Sequence, residues 1–310
     1  MAVNVLISYG VQPKADLAAV HAAVVCGRVM VDSGAFTAHS TGRTIRLGEY
    51  AGHLERWRGH WHHAITLDVI GDPAASARNT RRLHERGLPV MPVFTLGARL
   101  AEFDAMIADA GYVAVGGMVG VPLPAVRDRA AMLQRRARAA GGGIHLLGNG
   151  SMRTLRVVRP YSADTSSVSS MFRFGNLLYF DGVELRQVNL QHRVKLAAAR
   201  DHLAAQGVDL APLLRARRMP GGDARLALNV ALSWSYVCAD EVLRRSQVSL
   251  ARQPEAPSGT HLYLALANDG DLAAARTLAR TCHERSGAPR AWQRWGARHD
   301  CPYSSRRKAG

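Results

Sequence analysis

The stretch Val31-Asp32-Ser33-Gly34-Ala35-Phe36-Thr37 decides the fold that the sequence predicts. The apolar residues 29–31 predict a buried strand, and Asp32 stands where that strand ends. Small residues follow Asp32, which allows a ligand to approach the backbone closely. Parallel α/β enzymes gather their chemistry at the carboxyl ends of strands, so Asp32 is a candidate catalytic residue. The alternative interpretation is that Asp32 caps the next turn.

Strand and helix patterns alternate along the first half of the chain. Strands are predicted at 3–8, 29–31, 64–70, 88–94, 111–115, 143–148 and 161–167. Helices are predicted at 16–25, 47–61, 73–86, 100–110, 127–140 and 152–158. Short connections between them favour a parallel sheet with crossover helices. Because many strands end in Gly, Asp or small polar residues, we expect an α/β fold of the (β/α)₈ TIM-like barrel type, with a doubly wound open sheet as the alternative.

The second half of the chain is predicted to be mainly helical. Helical patterns are found at 194–206, 210–218, 224–243 and 272–284. We therefore expect residues 1–185 to form the main part of the barrel. Residues 186–310 are expected to close the barrel and to add a basic helical C-terminal region.

The composition favours a polyanionic partner. The 310 residues carry 40 Lys and Arg against 24 Asp and Glu, a formal net charge of +16. Such an excess is typical of proteins that bind nucleic acid. The alternative is a codon bias that favours arginine. Such a bias explains why arginine is more frequent than lysine, but it does not explain why basic residues outnumber acidic ones.

The cysteines and the hydropathy predict a cytoplasmic protein without a metal site. Cys26, Cys238, Cys282 and Cys301 include no C-x-x-C pair and fit no common zinc spacing, which indicates reduced thiols. The N-terminus lacks the pattern of a signal peptide, and no apolar run is long enough to span a membrane.

Three aspartates at predicted strand ends form a candidate catalytic group. A barrel would bring Asp32, Asp68 and Asp164 to one pocket. Two carboxylates can cleave a glycosidic bond, one as the nucleophile and one as the acid or base. A third carboxylate can accept the N1–H and the 2-amino group of guanine side by side. Two further segments at strand ends, Gly116-Gly117 and Leu147-Gly148, would lie between these aspartates.

Other residue types fit recognition of a base. Phe36 could stack on it, although a lone phenylalanine is more often part of a core. The backbone N–H groups of Gly116 and Gly117 could meet a carbonyl oxygen, since no side chain intervenes. His145 is predicted to be a hydrogen-bonded core histidine rather than a catalytic residue.

Taken together, and in their order along the chain, these motifs resemble those of the tRNA-guanine transglycosylase (queuine tRNA-ribosyltransferase) superfamily. The segment 32–36 resembles the Asp-Ser-Gly-Gly-Phe motif of that family, and Gly116-Gly117 its base-binding glycine pair. Residues 145–148 resemble a later strand of the family, and Asp164 falls where the family keeps its nucleophile. With residues 67–73 and 92–94 included, the set is closer to the phage and bacterial relatives that insert 7-deazaguanines into DNA.

The resemblance implies a role for each site residue. Asp164 would attack C1′ and expel guanine, and Asp32 would be the general acid and base. Asp68 would recognise the edge of the guanine-like base, with Asp72 as a nearby alternative unless it caps a helix. The remaining residues would line the pocket: Ser33, Phe36, Gly116, Gly117, Leu147 and Gly148.

The sequence departs from the family in two places. The tRNA enzymes carry a cysteine-rich zinc site after the nucleophile, whereas residues 165–182 contain no cysteine. We therefore expect no zinc subdomain, no metal and no cofactor. Where the family has a glutamine before a glycine, this chain has Phe94-Thr95-Leu96-Gly97, and Thr95 either replaces that glutamine or caps the next helix.

These observations predict a transglycosylase that exchanges guanine for a free 7-deazaguanine base in DNA, in the cytoplasm of a bacterium or of a phage host. The 7-cyano-7-deazaguanine base is the default substrate by resemblance. The alternatives are the same exchange on tRNA, a non-catalytic nucleic-acid-binding subunit, and an unrelated barrel enzyme that acts on a small phosphorylated substrate.

Overall fold

A computed structural model shows how the chain folds. It describes residues 3–23, 27–165, 176–181, 183–189, 191–205 and 260–266, with short pieces at 235–237, 239–240, 242–243, 272–273 and 275–276. The described strands are β1 (Asn4–Ser8), β2 (Val29–Asp32), β3 (His63–Ile65), β4 (Val90–Met91), β5 (Val93–Thr95), β6 (Tyr112–Gly116), β7 (Gly143–Leu146), β8 (Ser162–Thr165), β9 (Asn176–Phe180), β10 (Leu185–Asn189) and β11 (His261–Leu266). The described helices are α1 (Leu17–Ala23), α2 (Ala35–Ser40), α3 (Leu47–Arg56), α4 (Pro73–Glu85), α5 (Leu100–Ala110), α6 (Leu123–Ala139), α7 (Met152–Val158) and α8 (Arg193–Ala205).

The sheet is a nearly closed parallel barrel. Nine of the described strands pair in the order β4-β3-β2-β1-β11-β8-β7-β6-β5. The two end strands, β4 and β5, are consecutive in the chain and are separated only by Pro92, which has no N–H to donate. Strand β11, from the second half of the chain, lies between β8 and β1. The predicted α/β class is confirmed, and the sheet is compatible with a TIM-like barrel.

Two apolar layers stabilise the barrel, because successive side chains of a strand point to opposite faces. The inner layer consists of buried side chains from most of the strands: Leu6, Met30, Ile65, Met91, Val93, Tyr112, Ala114, Tyr161 and Tyr263. The outer layer packs the other faces of the strands against the helices, with Leu17, Tyr50 and Phe103 among its fully buried members. The interior is therefore a packed core, and a ligand site is left to the ends of the strands.

The sequence-predicted strand at 64–70 is wrong beyond Ile65. Strand β3 ends there, and residues 66–69 form an irregular connection. Helix α4 provides the reason: Ser76 Oγ accepts the N–H of Val69 at 2.8 Å, and Asn79 donates to the carbonyl of Leu67 at 2.9 Å. These side chains occupy the backbone groups that a longer strand would use.

Four described elements were not predicted from the sequence. They are the short helix α2, the antiparallel pair β9 and β10, and strand β11, which pairs with β1 and β8. The predicted helix at 127–140 also begins earlier, since α6 starts at Leu123. Helix α8 lies within one residue of its predicted bounds.

Several predictions fall on residues outside the described part of the chain. The predicted helix at 210–218 lies wholly outside the described residues, and those at 224–243 and 272–284 are described only in short helical pieces. Residues 166–175, which follow the candidate nucleophile, lie outside it as well. The division of the chain at residue 185, the helical extension and the lack of a zinc subdomain therefore stay predictions. Within the described residues, no helix is both long and apolar enough to cross a membrane.

Candidate active site

A cavity of about 1070 Å³ opens at the carboxyl ends of the barrel strands. Cavities of roughly 300–1,000 Å³ hold drug-sized ligands, so this one has room for a nucleoside. Most of the predicted site residues line its wall: Asp32, Ser33, Phe36, Asp68, Gly116, Gly117, Leu147, Gly148 and Asp164. The fold therefore brings together residues that lie up to 132 positions apart in the chain.

Asp32 is the last residue of β2 and is positioned by its own turn. Its Oδ2 atom accepts the backbone N–H of Gly34 at 2.9 Å. Burial raises the pKa of Asp32 to about 6, and the negative charge of Asp164 acts in the same direction. The Ser8 hydroxyl, the N–H of Gly34 and His145 act against this rise without cancelling it. A carboxyl group with this pKa can both donate and accept a proton near neutral pH.

Asp164 lies on β8 and is held from the side of β7. One contact comes from His145 on that strand and the other from Gly148 in the turn that follows it. Its Oδ1 atom accepts the backbone N–H of Gly148 at 2.8 Å and lies 3.2 Å from Nε2 of His145. The side chain is only 11% exposed, and it lines the cavity. Hydrogen bonds of this kind stabilise the ionised form of a carboxylate.

Asp68 follows the end of β3 and lines the cavity from the side of α4. Its Oδ1 atom accepts the hydroxyl of Ser76, at 2.6 Å. Because that serine also binds the N–H of Val69, the connection that carries Asp68 is fixed to the helix. Asp68 is partly exposed, so its carboxylate can still accept donors from a ligand.

Phe36 and the glycine pair form other parts of the wall. Phe36 is 58% exposed at the start of α2, so it does not belong to the core. Gly117 has φ +73°, and a Cβ there would lie 2.7 Å from Cγ2 of Thr95. At Gly116 a Cβ would lie 3.3 Å from Cδ1 of Leu147. A Cβ therefore does not fit at Gly117, and at Gly116 it would fit only if Leu147 moved, so the pair brings bare backbone to the cavity.

Two predicted site residues lie outside the cavity lining. Asp72 is the N-cap of α4, and its Oδ1 atom accepts the N–H of Ala75 at 2.8 Å. Of the two roles that the sequence allowed for Asp72, the structure shows the helix cap. Thr95 ends β5 with an exposed side chain, and the N-cap of the following helix α5 is Arg99, so Thr95 does not cap it.

Some residues of the site were not predicted from the sequence. Arg153, at the start of α7, is the only cationic residue among the described residues of the wall. Glu184 and Gln187 reach the wall from the β9–β10 hairpin. His145 is fully buried and hydrogen-bonded, as predicted, but one of its partners is Asp164. Long-range pairing of this kind leaves no local signal in a sequence.

Replacing Gly34 with alanine is expected to lower the free energy of unfolding by about 2 to 5 kcal/mol. Gly34 has φ +80°, and a Cβ there would lie 2.5 Å from the backbone nitrogen of Gly10. Gly42 is the matched control, since it has φ +66° and open space around it. Gly42→Ala should cost only about 1 to 2 kcal/mol, from its backbone conformation. Urea unfolding measures the two decreases in the free energy of unfolding. Equal decreases in the two variants would show that the contact with Gly10 contributes nothing to the cost.

No group of three or more His, Cys, Asp or Glu side chains arranged to hold a metal ion is found in the part of the chain that the structure describes. A scan against models of known protein families finds no match, and a search of curated proteins finds no similar sequence.

Proposed function

We propose that this protein exchanges guanine for a 7-deazaguanine base in DNA. The observation that carries the proposal is the presence of Asp32 and Asp164 in one cavity, where the charge of Asp164 contributes to raising the pKa of Asp32 to about 6. Near neutral pH such a pair can hold one proton and one charge at once. This is the division of roles that glycosyl transfer with a covalent intermediate requires.

In the first half of the reaction, a carboxylate oxygen of Asp164 attacks C1′ of the target nucleotide and forms a C–O bond. The C1′–N9 bond breaks, and its electron pair goes to guanine, which takes the proton from Asp32. In the second half, ionised Asp32 takes the N9 proton of the incoming base. N9 then attacks C1′, and the C–O bond breaks with its electron pair returning to Asp164.

The wall of the cavity suits a guanine-like base. Asp68 can accept the N1–H and the 2-amino group together, because a carboxylate offers two acceptor oxygens. The bare backbone at Gly116 and Gly117 can approach the O6 side of the base. Phe36, exposed on the wall, offers an aromatic face for stacking.

Two features favour nucleic acid as the carrier of the base. The net charge is +16, and Arg153 lies in the cavity wall, where it could contact a phosphate. The target nucleotide must leave its helix to reach the aspartates, which costs a few kcal/mol of unstacking. Among nucleic acids, DNA is favoured by the motif resemblance and by the lack of cysteine at 165–182.

Replacing Phe36 with alanine is expected to lower kcat/KM for base exchange about 10-fold or more, because base–aromatic stacking contributes about 1 to 3 kcal/mol. Phe36→Tyr keeps the aromatic face and should retain most of the activity. Thermal unfolding should not change, since the side chain is largely exposed. Val157→Ala, which truncates an exposed residue away from the cavity, is the control. Unchanged kcat/KM in Phe36→Ala would exclude the stacking role.

The proposal is tested by measuring base exchange with the pure protein. Labelled guanine and 7-cyano-7-deazaguanine are offered with duplex DNA, single-stranded DNA and unmodified tRNA, each with and without the Asp164→Ala change. Label that enters DNA and is lost in the variant is the expected result. Label that enters tRNA alone would identify tRNA, and not DNA, as the substrate. Tight DNA binding with no label in any acceptor would identify a non-catalytic binding subunit.

A further inference from the structure

A chain of buried polar side chains lies behind Asp164, inside the barrel. His145 on β7 is fully buried, and its Nδ1 atom lies 2.5 Å from Oγ of Ser162 on the neighbouring strand β8. The Ser162 hydroxyl is also hydrogen-bonded to the hydroxyl of Tyr112 on β6. At the other side of the ring, Nε2 faces Oδ1 of Asp164. None of these three residues lines the cavity, whereas Asp164 does.

The direction of the hydrogen bond to Asp164 follows from its chemistry. An ionised carboxylate can only accept, so Nε2 of His145 must carry a proton and donate it to the hydrogen bond. In the neutral ring Nδ1 then accepts from the hydroxyl of Ser162, which in turn can accept from Tyr112. Ser162 therefore holds the ring in the tautomer and orientation that aim Nε2–H at Asp164.

The two oxygens of Asp164 have different surroundings. Oδ1 receives both the N–H of Gly148 and the Nε2–H of His145. Oδ2 receives no hydrogen bond from the described residues of the chain. Oδ1 is thus clamped on the barrel side, and within the described residues no donor occupies the lone pairs of Oδ2.

We propose that His145 is a positioning residue, which clamps Oδ1 of Asp164 so that Oδ2 attacks C1′. The role in attack rests on the proposed function. The lone pair of Oδ2 forms the bond to C1′ while the C1′–N9 bond breaks toward guanine, and no proton passes through His145. The ring acts on the rate by fixing the direction of attack and by stabilising the ionised carboxylate before it.

A matched pair of amide variants tests this role. In His145→Gln the side-chain amide can reach the place of Nε2 and donate to Asp164, whereas in His145→Asn it is shorter and reaches only toward Ser162. We expect His145→Asn to lower kcat for base exchange about 10- to 100-fold, the size of effect typical for one hydrogen bond to a charged group. His145→Gln should recover most of that loss, and KM should change little because His145 does not line the cavity.

The comparison of the two variants separates positioning from a general loss of structure. A general loss of structure would lower the rate in both variants, whereas loss of the Nε2–H donor alone should lower kcat in His145→Asn and not in His145→Gln. Both variants should show the wild-type circular dichroism spectrum. Equal rates in the two variants would overturn the proposal.

A measurement without substrate keeps this inference distinct from the proposed function. In protein labelled with ¹⁵N at histidine, the signal absent from His145→Gln identifies His145. We expect Nε2 to carry a proton that exchanges slowly with water, and Asp164→Ala to shift that signal. An unprotonated Nε2, or a signal that ignores Asp164→Ala, would refute the clamp. If the clamp is seen but wild-type protein exchanges no base, the proposed function fails and the clamp stands.

Discussion

Asp164→Ala is expected to lower base exchange about 10⁴-fold or more, the usual cost of removing a catalytic nucleophile. In the proposed mechanism this carboxylate forms the covalent bond to C1′, and a water molecule in its place would be a poor nucleophile. Binding of DNA should be nearly unchanged, since Asp164 contributes one small, 11% exposed part of the wall. The rate is measured with labelled base, and binding is measured by fluorescence anisotropy at fixed salt.

Two further variants make this result interpretable. Asp164→Asn keeps the shape of the side chain and can still accept the N–H of Gly148, so it should fold normally and remain inactive. Asp104→Ala removes an exposed carboxylate that pairs with Arg136 on the surface, and it should exchange base at the wild-type rate. Activity in Asp164→Asn within 10-fold of wild type would show that another group is the nucleophile.

Asp32→Asn is expected to have opposite effects on activity and on stability. Activity should fall about 10² to 10⁴-fold, because asparagine cannot move the proton of the leaving or entering base. Stability above pH 6 should rise by about 2 to 3 kcal/mol, since a shift of one pKa unit corresponds to about 1.4 kcal/mol. The native protein no longer has to keep a buried charge next to Asp164.

The pH range of this stability effect follows from the pKa of Asp32 in the folded and in the unfolded state. It is about 6 in the folded protein and near the ordinary value of 3.8 in the unfolded chain. Between these values the folded state binds more protons than the unfolded state, so the contribution of Asp32 to stability falls as pH rises from 4 to 6. The difference between Asp32→Asn and wild type should therefore be near zero below pH 4 and reach its plateau above pH 6.

Urea unfolding at pH 3.5, 5 and 7.5 measures this difference, with Asp104→Asn as an exposed carboxylate control. That control should show no such rise in stability. A constant difference at all three pH values would mean that burial does not raise the pKa of Asp32. Loss of stability at pH 7.5 would mean that its hydrogen bond with Gly34 outweighs the buried charge.

Much of the barrel could be predicted because local patterns determine it. Apolar runs gave β1, β2 and β6 nearly to the residue, and helices α5 and α7 have their predicted bounds. Parallel strands place their carboxyl ends at one edge, so the residues at those ends could be assigned to one pocket. Asp32 and Asp164 were found in this way, one from its motif and one from its place in the motif order.

The rest depends on contacts between distant parts of the chain. The strand at 64–70 ends early because Ser76 and Asn79 of a later helix occupy its backbone groups. Asp72 caps a helix rather than lining the cavity, although it lies only four residues after Asp68. His145 is hydrogen-bonded to Ser162 and Asp164 only because β7 and β8 pair, so no local sequence pattern predicts these hydrogen bonds.

The most direct test of a covalent aspartyl intermediate is to locate the adduct. Wild-type protein is mixed with a guanine-containing DNA duplex without an incoming base, quenched in denaturant, digested and analysed by mass spectrometry. We predict that the peptide containing Asp164 carries a deoxyribose-linked remnant of the DNA, and that Asp164→Ala carries none. An adduct on the peptide containing Asp32, or base exchange by the wild type with no adduct at Asp164, would contradict this mechanism.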